Sequence, residues 1–337
     1  MRKLIFVISF IFLALVAGGY VFFIGNNKII SPLGSKLKEK PLDKYTFENL
    51  RKTEVGGTPI ILGPALKSEN DYVSQIFFYS VGGKKVSGLL NAPVKDGTYP
   101  VVVMFRGFVP KENYGTGVGT QRGGEVFAQN GFITLAPDFL GYGQSENPSE
   151  NAMEERFQTY TAALALLSSL SNLNTGLEAS YSGRIKADTE KIGLWGHSNG
   201  GHIALAVLEI TGKNYPTVLW APVSKPFPYS ILYYTDEFDD HGKMLRKALW
   251  EFEKDYDAEL YSPANYYSWI KAPIQLHQGT LDESIPIKWS DELVKTLEKL
   301  QKDIAYFVYP GADHNLLPNG WSLAVERSMA FYRDHLL

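Results

Sequence analysis

Between residues 101 and 311 the chain alternates short, continuously apolar runs with longer segments of helical spacing, and this alternation restricts the fold more than any other feature. The series runs VVVMFR at 101, GEVFAQNG at 124, FITLAP at 132, MEERFQTYTAALALLSSL at 153 and KIGLWGHS at 191. It continues with GGHIALAVLEITG at 200, TVLWAP at 217, PIQLHQG at 273, SDELVKTLEKL at 290 and IAYFVYPG at 304. Strands without a polar face, separated by helices, predict an α/β fold with a mostly parallel central sheet and helices on both faces. Upstream, SQIFFYSV and KKVSGLLNAP flank Gly82-Gly83. That pair supplies the positive φ of a tight turn, so an antiparallel hairpin should add strands at one edge.

Composition removes several classes of function. With 45% hydrophobic residues and a net charge of -3 the chain is too apolar and too nearly neutral to stay disordered. Its 33 basic against 36 acidic residues leave no basic surplus for nucleic acid. The absence of cysteine rules out disulfides, thiolate nucleophiles and Cys-ligated metals. The histidines lack HExxH or paired ligand spacing, so neither a metal nor an organic cofactor is expected.

Arg2 and Lys3 precede LIFVISFIFLALVAGGYVFFIG, residues 4–25, which hold no charge. As a helix this run would rise about 33 Å, enough for a hydrocarbon core of about 30 Å. Residues 1–27 therefore read as an N-terminal signal anchor or signal peptide. The length favours the anchor, although Ala17-Gly18-Gly19 offers a cleavage site. Either way the remainder is expected to be exported: membrane-anchored with an extracytoplasmic catalytic domain, or secreted. Residues 28–73 read as a linker and lead-in, and 74–337 as the catalytic domain. Nothing in the sequence speaks to oligomeric state.

The sharpest chemical signal is Gly196-His197-Ser198-Asn199-Gly200, a GxSxG between the apolar run KIGLW and the helical run that follows. A serine on a sharp strand-to-helix turn stands exposed above the sheet, and small neighbours relieve the crowding. Asn199 then starts the helix, so its N–H faces the oxygen that turns negative during acyl transfer. A serine hydroxyl needs a base, and the base needs an acid to fix its tautomer. Of six histidines, His197 and His202 belong to the elbow and its helix, His241 to a tyrosine-rich insertion, His277 to a strand, and His335 to the C-terminal end. His314, in Gly311-Ala312-Asp313-His314-Asn315 after the last apolar run, has the address of a base. Asp282, in the loop after the preceding strand, is the favoured acid. Glu283 and Asp313 compete with it, and either aspartate could simply cap a turn. The loop GTGVGTQRGG at 115–124 matches no phosphate-loop pattern and reads as a mobile connection.

At these residues the chain resembles the α/β-hydrolase superfamily of serine hydrolases, and within it the prolyl oligopeptidase catalytic domain and its dienelactone-hydrolase-like relatives. DTEKIGLWGHSNGGH, APDFLGYGQS, and YSPANYYSWIKAPIQLHQGTLDESIPIKWSDELVKTL with VYPGADHN behind it carry the resemblance, which spans about Ser74 to Leu337. It implies Ser198, Asp282 and His314 as a catalytic triad. The serine excludes the cysteine chemistry of true dienelactone hydrolases. Relatives commonly carry His-Gly after the third strand, where this chain has Phe105-Arg106-Gly107-Phe108. By position the Phe108 N–H would join Asn199 in the oxyanion hole, and Arg106 would organise the loop, pair with a carboxylate such as Asp138, or meet a substrate anion.

Oligopeptidases of that family also carry a large β-propeller, for which about 50 residues between the apolar run and Ser74 leave no room. A carboxylesterase acting on small or polymeric esters is thus expected ahead of a peptidase. The alternative from another class is an inactive anchored binding protein, disfavoured because all three triad positions hold competent side chains. An insertion at about 223–271, rich in Tyr, Phe and Trp, is expected to form a helical cap; its rings would either line an acyl pocket or pack on one another.

Overall fold

The computed structural model describes residues 40–337, within which Leu42–Leu337 form one compact unit. The apolar run at 4–25 and residues 28–39 of the tether lie outside the described residues, and no helix among those described is long and apolar enough to cross a membrane. The strands are β1 (Ile61–Ser68), β2 (Tyr72–Val81), β3 (Lys84–Pro93), β4 (Gly97–Phe105), β5 (Ile133–Pro137), β6 (Ile185–His197), β7 (Thr217–Trp220), β8 (Ile274–Gly279) and β9 (Ile304–Tyr309). They form one open sheet in the order β1-β2-β3-β5-β4-β6-β7-β8-β9. From β5 to β9 every pairing is parallel, and β1, β2 and β3 add the antiparallel edge. The β2–β3 turn falls on Gly82-Gly83, both at positive φ, as their spacing predicts.

Alternate residues of the central strands feed two cores. In β4, Val101, Val103 and Phe105 face one layer, while Val102 and Met104 face the other. The first layer holds α1 (Phe47–Lys52), α3 (Ala152–Ser169), α4 (Leu173–Tyr181), α5 (Asn199–Thr211) and α8 (Ile287–Lys299). The second holds α2 (Gln121–Gln129) and α9 (Trp321–Leu336). Both faces being covered explains why these strands read as unbroken apolar runs. The glycine-rich loop at 115–124 is a series of turns that passes directly into α2, whose first residues are its last four.

The folded unit begins earlier than the predicted boundary at Ser74. Thr46 caps α1 through Oγ1, which accepts from the Asn49 N–H, and α1 buries Phe47 and Leu50 in the larger core. β1 then lengthens the antiparallel edge. Its sequence, ILGPALKS, hid it: Pro64 cannot donate to a ladder, and most of its residues are exposed, which only an edge strand tolerates.

The insertion between β7 and β8 is helical, with α6 (Tyr229–Leu232), α7 (Lys243–Glu253) and several single turns. Most of its rings pack sideways. Phe227, Phe252 and Tyr261 surround Phe157 of α3 at centroid distances of 5.7, 5.7 and 4.7 Å, and Tyr266 stacks on Phe47 at 4.9 Å.

One buried group stands out in α5. Both Glu209 carboxylate oxygens are sealed from solvent without a hydrogen-bond partner among the described residues, and burial pushes this carboxyl well above its ordinary 4.5. The native state therefore keeps a proton that the unfolded chain releases, and this contribution to stability is lost as pH rises from the unfolded value through the folded one. Glu209→Met should raise stability at pH 7 by about 1–3 kcal/mol, the cost of an unsatisfied buried polar group. It should also flatten the decline between pH 5 and 8 in urea melts; a variant less stable than wild type at pH 7 contradicts this.

Candidate active site

The elbow is built by close backbone approach. Ser198 sits at φ 56°, ψ −119° between β6 and α5, its N–H donating to the Trp220 carbonyl at 2.9 Å and its carbonyl accepting from Gly201 and Val223 at 3.0 Å. A Cβ on Gly200 would lie 1.9 Å from the Phe105 carbonyl oxygen, and one on Gly196 would lie 2.5 Å from that of Gly200. The two glycines thus let α5 start against the ends of β4 and β6, leaving the serine at the carboxyl edge of the sheet. A positive-φ serine costs of order 1–3 kcal/mol, strain typical of a functional position.

The candidate acid and base follow β8 and β9, with β7 between them and the elbow strand. His314 Nδ1 lies 2.9 Å from Asp282 Oδ2. The remaining capacity of that carboxylate is filled: Oδ1 accepts from the Ser284 and Ile285 N–H groups at 2.9 and 2.7 Å, and Oδ2 also accepts from Gln278 Nε2 at 3.0 Å. Burial works to raise the Asp282 pKa, but the His314 hydrogen bond and charge, with the Ile285 and Gln278 donors, outweigh it and leave it lowered. An ionised Asp282 can only accept, so His314 carries its proton on Nδ1 and leaves Nε2 free as a base. Of the competing acids, Asp313 spends Oδ1 on the Asn315 and Leu317 N–H groups at 2.8 Å, and Glu283 is exposed. A Cβ on Gly279, at the end of β8, would lie 2.3 Å from the Ala312 carbonyl, so glycine there lets the histidine loop cross the strand end.

His197 links the two halves. Its Nε2 donates to the His314 carbonyl at 2.9 Å, and the two rings lie 4.5 Å apart. Burial, then the neighbouring His314 charge, pushes its pKa down to about 4, so it remains neutral and adds no second positive charge beside the base. Sequence reasoning passed over this positioning role. The available signal was a hydrogen-bonding side chain at the second position of GxSxG, where it must point beneath the base.

Asn199 follows Ser198 as the first residue of α5, and Phe108 follows Gly107 in the segment after β4. Neither N–H is engaged in a hydrogen bond among the described residues, and a Cβ on Gly107 would be 3.6 Å from Ser198 Oγ. Arg106 forms no ion pair with Asp138. It donates to the Gly107 and Asp138 carbonyls at 2.9 and 3.1 Å and sits over the rings of Tyr142 and Tyr114 at 4.1 and 4.5 Å. The Asp138 carboxylate is occupied by Ser87, Tyr114 and Thr116 hydroxyls. Of the roles open to Arg106, the structure supports organising the loop. His202 and His277 are fully engaged core residues, the first between Tyr160 and the Val223 carbonyl, the second between Tyr309 and Gln275.

A nucleophile elbow with an aspartate and a histidine at successive strand ends of an open, mostly parallel sheet defines an α/β-hydrolase. The chain belongs to the prolyl oligopeptidase family, whose model matches residues 124–337, and is thus a hydrolase of the serine-hydrolase class. It is 28% identical over 245 residues to the uncharacterized peptidase YtmA of Bacillus subtilis (strain 168), covering 71% of this chain and 85% of that one. Similarity to a putative carboxymethylenebutenolidase of Synechocystis sp. is 24% over 242 residues, 68% of this chain and 80% of the relative. The acetyl xylan esterase from Paenibacillus sp. R4 shares the fold, with a TM-score of 0.59 at 16% identity, over 89% of this chain and 96% of its own.

Proposed function

We propose that this chain is a serine carboxylesterase. The observation that carries the reading is the Asp282–His314 pair, joined through His197 to the strained Ser198 elbow, with two unengaged N–H groups in the segments around it. Ser198 Oγ attacks the ester carbonyl carbon as His314 Nε2 takes its proton. The Asn199 and Phe108 N–H groups receive the oxyanion. His314 returns the proton to the departing alcohol, and water, deprotonated by the same nitrogen, hydrolyses the acyl-enzyme.

Ester preference over peptide is supported by likeness to an acetyl xylan esterase and by an aromatic patch near the site. Tyr229, Tyr233 and Tyr234 of the insertion gather on Trp289 at 6.1, 4.7 and 6.4 Å, and the Tyr234 hydroxyl reaches the Ser284 carbonyl in the acid loop. Half-exposed rings of this kind suit an apolar or aryl group. The family and the YtmA similarity favour a peptidase as the second reading. The basic start and apolar run at 4–25 support export with an N-terminal anchor.

A fluorophosphonate probe should label the protein once, on the peptide containing Ser198, and kcat/KM for p-nitrophenyl acetate should exceed that for a proline anilide. Labelling elsewhere, or none in folded protein, removes the nucleophile assignment. Faster turnover of the anilide selects the peptidase.

A further inference from the structure

Arg156, in the second turn of α3, is a cation without a counter-charge. Its Nε is sealed from solvent with no hydrogen-bond partner, and among the described residues its guanidinium makes no ion pair or hydrogen bond. The acids beside it on the helix are committed elsewhere: Glu154 to Lys44, Tyr45 and Ser149, and Glu155 to Lys111. The groups that do face it are Phe227, 6.0 Å away, and Tyr160 and His202, on which its charge acts. No acidic side chain offsets the cost of its burial. Natural proteins rarely bury an unpaired charge, because leaving a guanidinium half-desolvated is costly unless something binds it.

Two routes connect this guanidinium to the edge of the sheet that holds the nucleophile. α3 begins at the carboxyl edge of the sheet, just after the loop that follows β5, and α5 begins at the same edge at Ser198. His202, one turn into α5, meets the Tyr160 hydroxyl at 2.8 Å. Arg156 lies one turn before Tyr160, back toward that edge, and so at the level of Ser198. The second route runs through the insertion, where the Val223 N–H binds the Ser198 carbonyl and Phe227, four residues on, packs against Arg156. Both routes lead from the cation to the edge of the sheet that carries the serine.

We propose that Arg156 receives a carboxylate carried by the substrate, so that the preferred esters bear a second, ionised carboxyl group near the scissile bond; this rests on the serine-esterase reading above. A guanidinium is suited to the task because its planar fork matches a carboxylate with two parallel donors. An anion at this position would meet a site that already lacks only a negative charge.

The test uses the full chain and two substrate pairs. Mono(4-nitrophenyl) adipate against 4-nitrophenyl hexanoate places the carboxylate on the acyl side, and 4-acetoxybenzoate against its methyl ester places it on the leaving group. Wild type should favour the anionic member of one pair, and the pair identifies the side. Arg156→Met should lower the anionic-to-neutral ratio of kcat/KM by about 10- to 100-fold, the scale of a charge-assisted hydrogen bond, and Arg156→Lys should restore part of it. No preference in either pair, or a preference that survives in Arg156→Met, overturns the proposal. Calorimetric binding of monoethyl adipate against diethyl adipate to the Ser198→Ala protein, with and without Arg156→Met, gives a readout independent of turnover. If none of the four esters is hydrolysed, the esterase reading falls, and this binding difference alone decides the carboxylate site. Arg156→Met should melt no lower than wild type, since it removes a partly buried charge with no partner; a lower melting temperature would mark a structural role instead.

Discussion

Asp282→Asn should lower kcat for the proposed ester hydrolysis by about 10⁴-fold, through the tautomer of His314 rather than through any loss of structure. In the wild type, Oδ1 of Asp282 accepts from two backbone N–H groups, Ser284 and Ile285, and this fixes the orientation of the carboxylate. An asparagine must place its carbonyl oxygen there, because its NH2 cannot accept. Its NH2 then turns toward His314 Nδ1, which must lose its proton to accept it. The proton moves to Nε2, and the nitrogen that should take the Ser198 proton becomes a donor. The measurement is steady-state kinetics on p-nitrophenyl acetate beside circular dichroism, with Glu283→Gln as the control that keeps its activity. A fall of less than 100-fold would mean that Asp282 is not the partner that orients the base.

Gly200→Ala is expected to cost about 3 kcal/mol or more, at the upper end for an overpacked site. The added methyl would lie 1.9 Å from the Phe105 carbonyl oxygen and 2.7 Å from that of Arg106, both backbone atoms of the chain leading to Phe108. A flexible side chain could swing away; a strand end tied into the sheet cannot. Because that same chain carries one of the two proposed oxyanion donors, kcat should fall as well in whatever fraction still folds. Gly56→Ala, with open space around it, is the matched control and should shift stability by no more than about 0.5 kcal/mol. Urea melts of the two variants decide the matter, and an unaffected Gly200→Ala would mean that the elbow is looser than its geometry implies.

The parts of the fold that could be read from the sequence are those where local pattern and tertiary role agree. VVVMFR, KIGLW and TVLWAP are apolar on both faces because both faces are covered, and the elbow glycines announce themselves because a strand, a serine and a helix meet there. Its place in the chain favours Asp282 over Asp313, but both sit in loops after strands, and three-dimensional proximity is what shows one bonded to His314 and the other spent on its own turn. β1 was hidden for the opposite reason, since an exposed edge strand with a proline leaves no periodic trace. The aromatic insertion was legible as helical, but whether its rings face a ligand or a neighbouring helix depends on Phe47 and Phe157, far away in sequence. Arg156 gave no signal at all, because an arginine on a helix is ordinarily a surface residue and its isolation appears only when every nearby acid is traced to a partner.

The residues of the catalytic edge enter the chain in a fixed order, at the ends of β6, β8 and β9, and α9 then closes the second layer by donating the Tyr332 hydroxyl to the Leu194 carbonyl beneath the elbow. A nascent chain that has released Ser198 but not yet His314 holds a nucleophile with no base. In chain order the serine is thus made well before the strand end that brings its proposed base. For a serine hydrolase, this order of the chain withholds the base until the last strand has been made.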